Sequence, residues 1–155
     1  MPIFYKIDPD LNLVYYACFG LCTGADFFQA EKQAFQDQLR REKMNIIFDI
    51  QNAEVDVELK DIQDGIAYNR QLTEKGYELE KTAVISKSKY AKTFGKFYHL
   101  LANKVPVKLG GFHTLQEAAS WLEMPDSTEH ILQIGDLLQE AFHKGQDKQI
   151  GAFTE

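Results

Sequence analysis

The stretch MNIIFDIQNAEVDVELKDI, residues 44–62, decides the fold, because an apolar strand runs into an acidic segment and then into a helix. The apolar run of residues 44–50 is typical of a short buried strand. Apolar side chains then recur at helical spacing, which predicts a helix from residue 56 or 58 to residue 75. Asp49 closes the strand and admits three interpretations: a phosphoryl acceptor, a metal ligand, or an ordinary strand end before a capped helix.

Strands and helices alternate on both sides of this stretch. Two strands joined by the turn DPDLN come first, and a helix capped by Thr23 follows them. The predicted elements are strands at 3–7, 11–20, 44–50, 81–87 and 105–112, with helices at 24–41, 56–75, 89–103 and 114–124. This ββαβαβαβα order predicts a single α/β domain with a mixed, mostly parallel five-stranded sheet flanked by helices.

A further helix follows this unit. We divide the chain into a domain of residues 1–124, an appended amphipathic helix of residues 125–144 and a flexible tail of residues 145–155. The helix carries an apolar stripe, Ile131, Ile134, Leu138 and Ala141. An isolated helix of this length is marginal in water, so it should dock on its own domain or on a second copy. The first three stripe residues are the contact we predict for a homodimer.

Composition and charge exclude several classes of protein. With 155 residues and 45% hydrophobic side chains, the chain is long enough and apolar enough for one packed domain. A net charge of −6 argues against non-specific nucleic-acid binding, which needs a basic surface. No signal peptide and no run of roughly 20 apolar residues is visible. We therefore expect a cytoplasmic protein without a membrane span.

The two cysteines, Cys18 and Cys22, are expected to be buried free thiols. In an extended strand they would lie about 13 Å apart, which is too far for a disulfide. Their spacing is not that of a zinc or redox motif.

The segment VKLGGFHTLQEAASWL, residues 107–122, carries a family resemblance together with CFGLCTGADF, IIFDI and TAVIS. In it a strand closes on Phe112, and the helix that follows has the pattern E-A-x-x-W-L from Glu117 to Leu122. On these residues the chain, from about 3 to 123, resembles the SpoIIAA-like group of the STAS superfamily. The resemblance implies a mixed sheet of about five strands and a non-enzymatic role. The anti-sigma factor antagonists of that group are switched by phosphorylation of a serine after the third strand, where a kinase partner docks.

The corresponding switch segment of this chain is acidic. Its positions are Asp49, Asn52, Glu54 and Asp56. No Ser or Thr occurs between Asp49 and Leu72, so the phosphorylation switch does not carry over. The acids could mimic a phosphorylated state, or they could simply cap the next helix at Asp56 or Glu58 and be solvated, which is the simpler expectation. A Ca²⁺-binding EF-hand loop would need Gly where Glu54 stands.

Basic residues are segregated in one segment. Residues 81–116 contain seven lysines and no acid, so this segment has a formal charge of +7. Because the whole chain has a net charge of −6, the remaining residues together carry −13. In the predicted helix 89–103 a lysine face lies beside an aromatic one, and the candidate partner or ligand contacts are Lys89, Lys92, Lys96, Phe94 and Tyr98. The other interpretation is a solvated lysine face above a core stripe.

We predict no catalytic residues, no cofactor and no metal site, because no constellation for any of them is visible. The function expected is a non-enzymatic binding or regulatory module that acts through protein–protein interaction, without the serine switch. The alternative is a carrier of a small lipophilic or anionic ligand in a pocket near the helix 89–103.

Overall fold

The computed structural model describes residues 2–78, 80–87 and 108–145. The strands are β1 (Ile3–Asp8), β2 (Leu13–Thr23), β3 (Asn45–Asp56), β4 (Lys81–Ile85) and β5 (Lys108–Phe112). The helices are α1 (Gly24–Gln36), α2 (Leu59–Glu74), α3 (Leu115–Trp121) and α4 (Thr128–His143), with a 3-10 turn at Pro125–Ser127. The predicted helix 89–103, with Lys89, Lys92, Lys96, Phe94 and Tyr98, lies outside the described residues, as do residues 146–155 of the predicted tail.

The five strands form one mixed sheet in the order β1-β2-β3-β4-β5. The β1 strand runs antiparallel to β2, and all the other neighbouring pairs are parallel. The turn before β2 is closed by Asp8, which accepts a hydrogen bond from the Leu11 amide at 3.1 Å. This sheet, with helices around it, confirms the α/β architecture predicted from the sequence.

Both faces of the sheet are covered, as the apolar residues at both parities of β2 predict. One face, which we call the α1 face, is built on Ile3, Tyr5, Ile7, Val14, Tyr16, Cys18, Ile46 and Ile50 and is covered by Ala30 and Ala34 of α1. The opposite face, the α4 face, is built on Phe4, Leu13, Tyr15, Ala17, Phe19, Ile47, Ala83 and Ile85. The helices α3 and α4 cover it with Leu115, Ala118, Ala119, Leu122, Ile131, Ile134, Leu138 and Ala141.

The helix α4 therefore packs on the sheet of its own chain. Ile131, Ile134 and Leu138, the residues predicted for a homodimer contact, are at most 3% exposed there. Helix and strand approach so closely at Gly135 that a Cβ on it would lie 2.9 Å from the Tyr15 hydroxyl. Contacts of these three residues with a second copy would require the helix to leave this face. The division of the chain at residue 124 stays a prediction.

Several predicted boundaries differ from the structure, and two of the differences change the interpretation of the chain. The first is the end of α1, which stops at Gln36 instead of residue 41, because Asp37 turns extended with φ −71° and ψ 136°. The Asp37 carboxylate then accepts hydrogen bonds from the Leu39 amide and the Tyr5 hydroxyl. Arg40 is consequently not a last-turn residue of the helix, and its guanidinium lies over the Phe35 ring at 4.8 Å.

The second concerns the acidic segment after Asp49, which was predicted to be a loop. In the structure β3 continues through it to Asp56. The reason is long-range pairing, since β2 also continues to Thr23 and holds residues 52–56 in parallel register. The switch positions Asn52, Glu54 and Asp56 are therefore strand residues.

The cysteines are free and buried, as predicted. The segment that joins them is not a regular extended strand, which was the basis for the separation expected from the sequence. Gly20 has φ +62°, and the pairing register shifts after Ala17. Burial raises the pKa of the Cys18 thiol, whereas a hydrogen bond with Cys18 lowers the pKa of Cys22.

Candidate functional site

The long strands β2 and β3 project beyond their neighbours at one end of the sheet. The pairing of β1 with β2 reaches Cys18, and the pairing of β4 with β3 ends at Asp49. Beyond these points, among the described residues, the strand pairing of residues 19–23 and 52–56 is with each other, and the Phe19 amide also donates a hydrogen bond to the Pro2 carbonyl at 2.8 Å. We call this two-stranded extension the ribbon. It carries three of the four switch positions predicted from the sequence.

A β-bulge separates the ribbon from the rest of the sheet. Ala17 pairs with Asp49, but the next pair is Phe19 with Asn52, so β3 contains one extra residue. The Asp49 carboxylate stabilises this bulge, because its Oδ1 accepts hydrogen bonds from the amide and the side chain of Gln51, each at 3.1 Å. Bulges bend a strand and increase its twist, so the ribbon has its own orientation.

The second oxygen of Asp49 is also engaged within the fold. The Tyr15 hydroxyl donates a hydrogen bond of 2.6 Å to Asp49 Oδ2. Burial, and after it the neighbouring carboxylate, raises the pKa of Tyr15 well above its ordinary value, so the phenol remains the donor. Asp49 is thus a partly buried structural residue at the root of the ribbon, with both oxygens hydrogen-bonded.

The acids of the ribbon point away from the α1 face. Ala53 and Val55 contribute to the core of the α1 face, and the side chains between them alternate outward. Asn52, Glu54 and Asp56 are accordingly exposed. The structure brings these three together on one side of the ribbon and leaves Asp49 apart from them.

Leu21 lies among these polar side chains. It pairs with Glu54 in the parallel register, so the two occupy the same side of the ribbon, and 57% of Leu21 is exposed. A second exposed leucine, Leu59, begins α2 at the same end of the molecule and is 56% exposed. Leu21 was not among the residues singled out from the sequence, because Gly20 suggested a loop there and hid the continuing strand.

The first turns of α1 and α2 meet beside the ribbon. A Cβ on Gly24 would collide with the Asp61 side chain, so the two helix starts are in contact. Each start is capped: Thr23 and Asp26 form a reciprocal capping box on α1, and Asp61 accepts the Glu58 amide hydrogen at 2.9 Å on α2. The sequence offered Asp56 or Glu58 as the residue that caps α2, and the structure has Glu58 at the N-cap position. Carboxylates near helix N-termini are electrostatically favourable, so this acidic end is compatible with a stable fold.

Residues 2–78, 80–87 and 108–145 contain neither a metal-binding cluster nor a membrane-spanning helix. That part of the chain holds no group of three or more His, Cys, Asp or Glu side chains placed to bind a metal ion. None of its helices has the length and apolar character needed to cross a bilayer. The ligand pocket predicted near residues 89–103 falls outside the described residues.

Similarity to known proteins is found among solved structures. No protein-family model and no curated protein matches the sequence. Among solved structures, the chain is similar to an uncharacterized protein of the DUF3478 family with a SpoIIAA-like fold from Shewanella loihica PV-4. The two are 16% identical, the match covers 77% of this chain and 91% of the other, and the TM-score is 0.48.

Proposed function

We propose that this chain is a non-enzymatic binding module whose ribbon docks a partner protein through a basic segment that also carries an apolar side chain. The observation that carries the proposal is the uncovered side of the ribbon, where the half-exposed Leu21 stands among Asn52, Glu54 and Asp56. Phe142 of α4 stacks on Phe19 at the start of this side of the ribbon, at 4.4 Å, and beyond it the described helices leave Leu21 exposed.

Charge complementarity defines the partner. The ribbon and the start of α2 present the acids Glu54, Asp56, Glu58, Asp61 and Asp64, and the chain outside residues 81–116 is strongly negative. Lysine and arginine side chains of a partner would accelerate association and fix its orientation, and this contribution falls with salt. Leu21 would supply the apolar contact that such a segment needs for affinity.

The ribbon also offers main-chain groups. Its outer strand edges are not paired with a third strand among the described residues. An extended partner segment could add to such an edge, which is a common mode of peptide recognition. The engagement of Asp49 in the bulge supports a binding role over a catalytic one, since both of its oxygens serve the fold. The two free thiols fit a reducing compartment such as the cytoplasm.

Site-specific photocrosslinking tests the proposal. A photoreactive amino acid replaces Leu21 in the full chain within cells, and Leu132 on α4, which is 42% exposed, provides a matched control position. We expect a partner protein that is crosslinked from position 21 and is not crosslinked from position 132. The peptide of that partner that carries the crosslink should be rich in Lys or Arg. The purified partner should bind Leu21→Ser at least about tenfold more weakly, as the loss of one buried apolar anchor implies, and Leu132→Ser normally.

Four outcomes would contradict it. The first is the same set of crosslinks at both positions, and the second is a crosslinked peptide without basic residues. The third is a crosslink to a second copy of this chain, which would make the ribbon a self-association surface instead. Binding that ignores a charge reversal at Glu54 and Asp56 would likewise contradict the stated partner chemistry.

A further inference from the structure

A partly buried acid, Glu31, lies at the aromatic contact between α1 and α2. Phe28, Glu31 and Phe35 share one stripe of α1 at helical spacing. Tyr68 of α2 packs its ring edgewise on both phenylalanines, with centroid distances of 5.1 and 6.0 Å. Tyr77, which follows α2, packs on Phe35 at 5.1 Å. Glu31 therefore lies on the stripe of α1 on which these tyrosine rings pack, and we call this contact between the two helices the aromatic slot.

Two buried polar atoms near this slot lack a hydrogen-bond partner among the described residues, although the Nη1 atom of Arg40 donates to the Arg41 carbonyl at 3.3 Å. Tyr16 of β2 lies underneath, fully buried and stacked on Phe48 at 4.5 Å. Among the described residues, its hydroxyl is a buried polar atom without a partner, and the Nε atom of Arg40 is another. The Arg40 guanidinium lies over the rings of Phe35 and Tyr77, at 4.8 and 5.8 Å.

These groups act on one another electrostatically. Burial raises the pKa of Glu31 from 4.5 to about 7, and the positive charge of Arg40 opposes that rise. Burial, followed by the charge of Glu31, raises the pKa of Tyr16 and of Tyr68. On α1 itself, the Lys32 ammonium lies over the Phe28 ring at 5.6 Å. Glu31 is thus the member of the cluster that changes its charge near neutral pH.

We propose that Glu31 is a proton switch that controls the packing of α2 against α1. When the carboxyl is protonated, a neutral group occupies the slot and the aromatic contact closes. When it is ionised, the charge must either keep water or draw Arg40 away from Phe35 and Tyr77. Both responses weaken the contact of Tyr68 with α1, so α2 opens more often at higher pH. This switch stands whether or not the ribbon binds a partner.

Hydrogen exchange in α2 tests the switch. In the open state of α2, the Glu31 carboxyl is expected to have the ordinary pKa of a glutamate. Linkage then predicts that the opening constant of α2 rises roughly thirty-fold between pH 5.5 and 8.5. Amide exchange is measured by mass spectrometry in the full chain and corrected for the intrinsic pH dependence of exchange. We expect this rise in the natural protein and its loss in Glu31→Gln. The control variant Glu74→Gln, which removes an exposed acid of α2, should keep the rise.

A second variant keeps the test independent of packing defects. Arg40→Gln removes the charge that lowers the pKa of Glu31, so the midpoint of the transition should move to higher pH. Carbon-13 NMR of the Glu31 carboxyl follows the same titration directly. The proposal is overturned if α2 in Glu31→Gln keeps the pH dependence of the natural protein, or if the Glu31 carboxyl titrates in the ordinary range of glutamate.

Discussion

Replacement of Gly135 by alanine should destabilise the fold, although alanine normally stabilises a helix. Gly135 lies inside α4, where a Cβ would stand 2.9 Å from the Tyr15 hydroxyl. The phenol is 2% exposed and is held by its 2.6 Å hydrogen bond to Asp49, so it can yield only by breaking that bond. A hydrogen bond to a charged group contributes roughly 1.5–3 kcal/mol. The gain from replacing a helical glycine is about 1 kcal/mol, which leaves a net loss of roughly 0.5–2 kcal/mol.

Gly65 provides the matched control. It lies inside α2, and a Cβ there would meet nothing within 4 Å. Gly65→Ala should therefore stabilise the protein by up to about 1 kcal/mol. In a Tyr15→Phe background the hydroxyl is absent, so Gly135→Ala should also become stabilising, and a double-mutant cycle isolates the collision.

Urea denaturation at neutral pH measures all four variants, with the slope of the transition as a check on two-state behaviour. Equal stabilisation by Gly135→Ala and Gly65→Ala would refute the close packing of α4 on β2. A loss at Gly135 that persists unchanged in the Tyr15→Phe background would refute the specific role of the hydroxyl.

Three further expectations concern other parts of the molecule. Glu31→Gln should leave stability unchanged near pH 4 and raise it by up to about 3 kcal/mol at pH 8. The contribution of the protonated acid, whose pKa in the folded state is raised to about 7, is lost as the pH rises from 4.5 to 7; denaturation at the two pH values measures it. Ile131→Ala should cost about 2–4 kcal/mol and its exposed neighbour Leu132→Ala less than about 0.5; equal small costs in thermal unfolding would show that α4 does not pack on the sheet. Leu21→Ser should change the denaturation midpoint little, with an effect within about 0.5 kcal/mol, so a large loss would assign Leu21 to the core.

Local signals in the sequence predicted most of the fold. The apolar residues at both parities of β2 implied a sheet covered on both faces, and both faces are packed. The cap residue Thr23 predicted the start of α1, where its hydroxyl accepts the amide hydrogen of Asp26, three residues on. Signals of this kind depend on neighbours along the chain, which is why they could be recognised without the structure.

Features that depend on distant pairing could not be predicted. The alternation from Asn52 to Asp56 includes three polar residues, and nothing near it indicates that residues 19–23 will hold it as a strand. The end of α1 was missed for a similar reason, since Leu39 continues the apolar spacing while Asp37 bonds instead to Tyr5, 32 residues away. The aromatic slot around Glu31 needs the contact of α1 with α2, which no local pattern specifies.

The distribution of charge at the ribbon separates what the fold requires from what binding requires. Two helices begin beside it, and carboxylates there are favourable without any partner, so the acids alone are no argument for a binding site. Leu21 has no such explanation, because 57% of it faces solvent and a polar residue would serve the strand as well. If the ribbon docks a basic segment, reversal of Glu54 or Asp56 should act mainly on the association rate and its salt dependence, whereas truncation of Leu21 should act on the dissociation rate. Kinetics of the two kinds of variant with one purified partner would show this division, and equal effects on both rates would remove it.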